Sequence, residues 1–218
     1  KEFENTYGNS TFNLRWNHLF SDRLFSNLSA IFSDYYYGLD LDFVGFEWRS
    51  GIKNFNLKYD FRSYVSDKLK LNFGVNGIYY EFNPGTIKPS SPESGINPDQ
   101  LEKKYAYEPA IYINAEQKIT ERIDINYGLR YSLFYNVGSS TVNLYENNNP
   151  VLFNSQFQIY EKATPIGTKQ YSKNEVIKSF DYLEPRLSVN YLLNENQSFQ
   201  ASYNRMVQYL QLILHLVL

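Results

Sequence analysis

The feature that most limits how this chain folds is alternation with a period of two. From Phe55 through Leu57, Tyr59 and Phe61 the odd positions are apolar, while Asn56, Lys58, Asp60 and Arg62 fill the even ones. That is the pattern of a strand with one apolar and one polar face. It returns at Leu69, Leu71, Phe73 and Val75, at Ile111 and Ile113, from Ile123 to Leu133, from Leu183 to Tyr191, at Phe199, Ala201 and Tyr203, and at Phe12, Leu14, Trp16 and Phe20. Only 24–37 is muddled, with Leu28, Ala30 and Phe32 on one face and Phe25 and Ile31 on the other. Composition agrees: 21 Tyr, 16 Phe and 2 Trp stand beside six Ala in 218 residues, which favours a pleated surface over helix.

The connections between these segments are of two kinds. Phe20-Ser21-Asp22-Arg23-Leu24, Val65-Ser66-Asp67-Lys68-Leu69 and Ile119-Thr120-Glu121-Arg122-Ile123 share an order of apolar, hydroxyl, acid, base, apolar, with a looser copy at 193–198. The apolar residues that bracket each of the first three are four apart, so a tight hairpin can turn both apolar faces to one side. The other connections are long, near 38–51, 83–104 and 138–179. Short turns alternating with long loops between about eight antiparallel strands predict an all-β, up-and-down transmembrane barrel wall. Twelve residues at about 3.3 Å each, tilted near 40°, rise roughly 30 Å, enough for an apolar band about 25 Å tall.

A mean hydropathy of −0.49 and the lack of an apolar run of about 18 residues exclude spanning helices, but a barrel hides its apolar content in alternate residues. Phe20, Phe25, Tyr64, Tyr191 and Phe199 flank the short turns, and Tyr35, Tyr36, Tyr37, Tyr79, Tyr80, Tyr105, Tyr107, Tyr131 and Tyr135 lie toward the long loops, as two aromatic girdles would require. A net charge of −2 gives no basic footprint for nucleic acid, and zero Cys removes disulfides, thiolate metal sites and cysteine nucleophiles.

No catalytic constellation is visible, so the chain is read as a non-enzyme without cofactor or metal. His18 reads as an interfacial residue, and His215 lies in an apolar tail without an obvious partner. Asp34, Asp40, Asp42 and Glu47 cluster in the first long loop, where Ca²⁺ ligation competes with plain solvated charge. Nine residues on from the apolar residue before each turn stand Ser29, Gly74, Gly128 and Ser202, all small and all on the polar face. They leave room for something inside a wide barrel, or mark bends and bulges.

The run Asp181-Tyr182-Leu183-Glu184-Pro185-Arg186-Leu187-Ser188-Val189-Asn190-Tyr191 and the run Ala201-Ser202-Tyr203-Asn204-Arg205-Met206-Val207-Gln208-Tyr209-Leu210, with Asn126-Tyr127-Gly128-Leu129-Arg130-Tyr131, resemble the barrel of TonB-dependent receptors of Bacteroidetes-type bacteria. The resemblance implies a bacterial outer-membrane receptor of roughly 22 strands, closed by a plug, that takes up a scarce ligand with energy from an inner-membrane partner. The implied partners are outer-membrane lipid, the TonB complex acting through the plug, and an extracellular siderophore or glycan. No plug, TonB box or signal peptide is found in 1–218, and the chain ends Leu210-Gln211-Leu212-Ile213-Leu214-His215-Leu216-Val217-Leu218 where the family continues into a polar loop. Residues 1–218 therefore read as one partial barrel domain, internal to a receptor and about a third of its wall. Tyr35, Tyr36, Tyr37, Trp48, Tyr145 and Asn147 are the loop-side candidates for ligand contact, since Tyr joins a stacking face to a polar tip. Competing readings are a complete eight-stranded barrel acting as adhesin, anchor or small porin, and a soluble β-sandwich binding module.

Overall fold

A computed structural model describes residues 3–42 and 45–210. Its strands are β1 (Phe3–Ser21), β2 (Leu24–Leu41), β3 (Phe46–Ser66), β4 (Leu69–Pro89), β5 (Asp99–Gln100), β6 (Lys104–Thr120), β7 (Ile123–Val137), β8 (Ser140–Leu144), β9 (Val151–Asn154), β10 (Ile159–Lys162), β11 (Gly167–Tyr171), β12 (Val176–Asn194) and β13 (Gln197–Asn204). One antiparallel sheet runs β1-β2-β3-β4-β6-β7-β12-β13, with β5 added beside β4. Every neighbour on that path is also the next long strand in sequence, which is up-and-down topology. Among the described residues β1 and β13 do not pair with each other, so the sheet is open, and the other two sheets have only two strands each. The apolar tail with His215 lies outside the described residues.

The recurrent turn pattern has a structural meaning for each position. Asp22-Arg23, Asp67-Lys68 and Glu121-Arg122 are two-residue tips, and the hydroxyl before each accepts the N–H of the basic residue: Ser21 from Arg23 at 3.3 Å, Ser66 from Lys68 at 3.3 Å and Thr120 from Arg122 at 3.2 Å. Asn194 accepts from the Asn196 N–H at 3.0 Å in the looser copy. The carbonyls of Arg23, Lys68 and Arg122 each accept, at 2.8 Å, a backbone N–H from the next hairpin, from Tyr64, Lys118 and Leu192. The leading apolar residue does not pair at all. Register shifts lie between Leu19 and Ser21, Tyr64 and Ser66, Lys118 and Thr120, and Leu192 and Asn194. Phe20, Val65, Ile119 and Leu193 are thus the extra residues of four β-bulges, which corrects the reading of the bracketing residues as same-face partners.

Antiparallel pairing then sorts the side chains into two faces. A cross-strand row of six aromatic residues, Phe12-Phe32-Phe55-Tyr79-Tyr107-Tyr135, crosses six adjacent strands on the outer face. Below it, Leu57, Val75, Ile111, Leu129 and Leu183 are all more than 40% exposed and form the apolar belt. Toward the turns, Trp16, His18, Phe20, Phe61 and Phe73 make a second aromatic group, with His18 5.4 Å from the Trp16 ring and 4.4 Å from Phe20. Ten residues separate Leu69 from Tyr79, a rise of roughly 25 Å at a tilt near 40°, matching the hydrocarbon band of a barrel. Parity divides the expected girdles: Phe25, Tyr64, Tyr35, Tyr37 and Tyr80 belong to the inner face, whereas Tyr36, Tyr79, Tyr105, Tyr107, Tyr131 and Tyr135 belong to the outer one.

The connections differ from the sequence reading. Segment 38–51 is mostly paired strand, from Gly38 with Arg49 down to Leu41 with Phe46. Arg49 holds the hairpin by donating to both Asp40 oxygens, at 2.7 and 2.9 Å. Segment 83–104 likewise begins as strand, because β4 passes Pro84 by placing Pro84 and Gly85 opposite the single residue Ser50, and the Trp48 indole lies over Gly85. A bulge tolerates a residue with no N–H to donate. The connection between β7 and β12 is a nested insertion in which β8 pairs with β11 and β9 with β10.

Gly74 and Gly128 sit in unbroken register, so they are not bulges. The Tyr112 ring crosses Gly74, and the Asn114 side chain crosses Gly128. A Cβ at Gly128 would stand 2.7 Å from the Ile113 carbonyl oxygen. Gly128→Val is expected to destabilise the wall by about 1–3 kcal/mol, the usual cost of overpacking, read as a lowered denaturation midpoint in detergent micelles. An unchanged midpoint would remove this steric account.

Candidate functional site: the inner wall

The inner face of the sheet encloses an open cleft of about 1280 Å³, with Arg15, Asn27, Lys58, Asp60, Tyr112 and Arg130 among its lining. Its polarity follows from the alternation: the even residues of β6, β7 and β12 in the spanning part belong to this face, including Glu108, Tyr112, Arg130, Glu184 and Arg186. Asn27, Asp60, Gly74, Tyr112, Arg130 and Glu184 form one row across six strands. Because Gly74 has no side chain, the Tyr112 hydroxyl reaches over it to donate to Asp60. Lys58 and Arg130 flank that ring, 5.6 and 6.0 Å from its centroid.

Arg130 is the hub of the upper half. Its guanidinium lies 3.6 Å from Glu184 and 3.9 Å from Glu108, and it donates to the Asn76 side-chain oxygen at 3.5 Å. The Tyr80 hydroxyl donates to Glu108 at 3.1 Å, and Ser132 donates to Glu184 at 2.6 Å. Glu184 is 5% exposed and Ser132 1%, so the carboxylate is stable there only because cation and hydroxyl both serve it. After β13 the chain crosses the same region: Tyr209 stacks on Phe134 at 5.1 Å, and its hydroxyl donates to the Ser132 carbonyl at 3.0 Å. The lower half carries a second network, in which Glu116 accepts from Lys70 at 2.5 Å and from Asn72 at 2.9 Å.

The six residues expected on the loop side divide among three places. Tyr37 and Trp48 meet on the inner face as a T-shaped pair with centroids 5.8 Å apart, and Tyr35 shares that face one inner position nearer the membrane. Tyr36 lies on the outer face, where its ring covers Gly8 of β1. Tyr145 and Asn147 sit in the β7–β12 insertion at the short turn Glu146–Asn148, where Asn147 has φ 54°. Three of the four acidic residues of the first loop, Asp40, Glu47 and Asp34, lie against cations: Asp40 by Arg49, Glu47 by Arg49 at 3.9 Å and Asp34 by Lys53 at 3.5 Å. Among the described residues no group of three metal-ligating side chains converges.

The insertion is fastened at its root. Glu102 accepts from Lys104 at 2.6 Å, from Ser140 at 2.9 Å and from the Thr141 N–H at 3.2 Å, tying the segment before β6 to the start of β8. The bond from Lys104, then that from Ser140, holds the Glu102 carboxyl below the usual carboxylate range.

Sequence reasoning missed Tyr80, Glu108, Tyr112, Arg130, Glu184 and Tyr209. Arg130 and Glu184 do stand in the runs that carry the family resemblance, but their pairing across β7 and β12 needs the register.

An outward apolar belt between aromatic rows, with a charged and hydrogen-bonded inner wall, defines the wall of an outer-membrane β-barrel. Residues 2–208 match the family described as TonB dependent receptor-like, beta-barrel, and the chain belongs to that family. No curated sequence matches it. Among solved structures it is similar to the FrpB iron transporter from Neisseria meningitidis (F5-1 variant), at 16% identity and a TM-score of 0.56, over 90% of this chain and 27% of that one. It is also similar to the closed form of the ferric-catecholate import receptor Fiu from E. coli K12, at 14% identity and a TM-score of 0.58, over 92% of this chain and 33% of that one. The chain thus spans about a third or less of those receptors, and at such identity the likeness concerns the fold.

Two outcomes are expected. Glu184→Ala leaves Arg130 and Ser132 without their shared partner and is expected to cost about 1–3 kcal/mol, read by denaturant titration of the folded barrel. The Glu102 carboxyl is depressed in the folded state, so its contribution is present above the ordinary carboxylate range and lost as pH falls through the lowered value. The protection of amides in 138–175, taken relative to their intrinsic exchange rates, is therefore expected to fall at acid pH and, in Glu102→Gln, already at neutral pH. Equal exchange in both proteins at neutral pH would refute the clasp.

Proposed function

We propose that the chain forms part of the wall of a receptor for TonB-dependent uptake of a ferric siderophore, captured between the loop-side aromatics and the upper inner wall. The observation that carries this reading is the Tyr37–Trp48 pair standing on the same face as Tyr80, Glu108 and Arg130, so that flat aromatic surface and paired charge share one inner wall. A catecholate complex offers both matching elements, aromatic rings and charged oxygens. The likeness to an iron transporter and to a ferric-catecholate import receptor supports the same class. In the proposed sequence of events the ligand leaves the loops for the lumen once a plug is displaced through the TonB complex. Arg186, whose buried Nε has no partner among the described residues, is an additional donor toward the ligand.

A glycan would use the same aromatic faces through stacking, so binding decides between the two. The full-length receptor is expected to bind a ferric tris-catecholate complex, and Trp48→Ala is expected to weaken that binding about 2- to 10-fold, the worth of one aromatic contact, by fluorescence or calorimetric titration. Binding of an oligosaccharide in place of the ferric complex would overturn the siderophore assignment. Uptake that persists after collapse of the proton-motive force would overturn the TonB-driven mechanism.

A further inference from the structure

Strand β13 leaves the sheet early. Its last pair is Asn204 with Arg186, although β12 continues against β7 as far as Val176. Pro185 accounts for the departure. A residue in an antiparallel strand presents its C=O and its N–H to the same neighbour, so the Pro185 carbonyl accepts the Arg205 N–H at 3.1 Å, but Pro185 has no N–H to return. The ladder ends there, and residues 205–210 run outside any strand across the inner face.

This strap is held at one ring. Met206 is 73% exposed, and among the described residues every hydrogen bond from 206–210 to the wall runs through the Tyr209 hydroxyl. The ring itself has a cradle. Phe134 lies against it with centroids 5.1 Å apart and planes 13° apart, and Tyr182 flanks it at 5.9 Å. The hydroxyl donates to the Ser132 carbonyl at 3.0 Å and stands 2.8 Å from the Ser132 Oγ, on a residue that is almost wholly buried. Ser132 is in turn fixed by donating to Glu184. The flat face, the acceptor and the support of that acceptor all belong to β7 and β12, so the cradle does not depend on the strap that fills it. A preformed cradle whose occupant sits on a lightly held segment is a displaceable contact.

We propose that Phe134, Tyr182 and Ser132 form a subsite for a neutral phenol ring of an incoming molecule, and that Tyr209 is its built-in placeholder. The incoming ring stacks on Phe134 and gives its O–H to the Ser132 carbonyl, the two contacts that Tyr209 makes. As Tyr209 leaves, 206–210 come away from the wall. A catechol whose two oxygens are both bound to iron has no proton for that carbonyl, so the subsite selects free phenols. It is therefore distinct from capture of a ferric complex and does not rest on that assignment.

The test uses the full-length receptor in detergent micelles, titrated with p-cresol, the tyrosine side chain as a free molecule, and observed by saturation-transfer NMR. The unaltered protein is expected to bind it, and Tyr209→Ala to bind it about 5- to 30-fold more tightly, because removing the placeholder raises the fraction of open subsite. Adding Phe134→Ala to that variant is expected to abolish the gain. The methyl ether of p-cresol, which keeps the ring but has no O–H, is expected to bind Tyr209→Ala about fivefold more weakly than p-cresol. Heat-modifiable migration checks that each variant is folded. Should Tyr209→Ala not fold, Tyr209→Phe, which keeps the stack and loses the hydroxyl contacts, is expected to bind p-cresol about threefold more tightly than the unaltered protein. A Tyr209 that only packs the wall predicts equal or weaker binding in these variants, and that result would overturn the proposal, as would a gain that survives Phe134→Ala.

Discussion

Everything in this wall depends on the antiparallel hydrogen-bond ladder that fixes which residues stand side by side. In a bilayer core the backbone has no water to turn to, so each spanning N–H and C=O must find its partner in the adjacent strand. Once that register is set, a side-chain period of two does the rest. Phe55 and Tyr79 face lipid because Asp60 and Arg130 face inward, and a slip of one residue would place Arg130 and Glu184 in hydrocarbon. The four turns guard against such a slip. In each, a hydroxyl or amide accepts the N–H two residues on, and in the first three a carbonyl is also tied to the next hairpin, which sets where the strands begin.

The inner wall applies a second rule, that size is matched between neighbours across strands. Tyr112 reaches Asp60 only over Gly74, and Asn114 lies where Gly128 leaves space. Neither glycine is there for flexibility. Each is half of a pair whose other half carries the chemistry, and the charge hub at Arg130 is built beside the first of them. The family match over residues 2–208 gives these contacts their setting, the interior of an outer-membrane receptor barrel.

Much of the fold was legible in the sequence because alternation is a local signal. The long strands, the short turns and the two-faced wall follow from residues two apart, and the runs around Arg130 and Glu184 carried the resemblance to the family. What was not legible depends on register. The bulges at Phe20, Val65, Ile119 and Leu193 shift the pairing by one, and apolar residues there look like ordinary strand ends. Segment 38–51 reads as loop because Asp40 and Glu47 interrupt the pattern, yet Arg49 neutralises both and the ladder continues. Of the binding candidates, Tyr37 and Trp48 met because odd residues of β2 oppose even residues of β3, a fact that also sends Tyr36 outward.

The aromatic row also works as a waterline. Above Phe55 and Tyr79 the hairpins β2–β3 and β3–β4 stay paired as far as Phe46 and Pro89, nine and ten residues farther along. At about 3.3 Å per residue and a tilt near 40°, that is a parapet roughly 23–25 Å high standing clear of the lipid. On this side the rim is hydrogen-bonded masonry, and the Tyr37–Trp48 pair is built into it. A molecule approaching from the loop side therefore meets a fixed stretch of wall well before it reaches the depth of the bilayer.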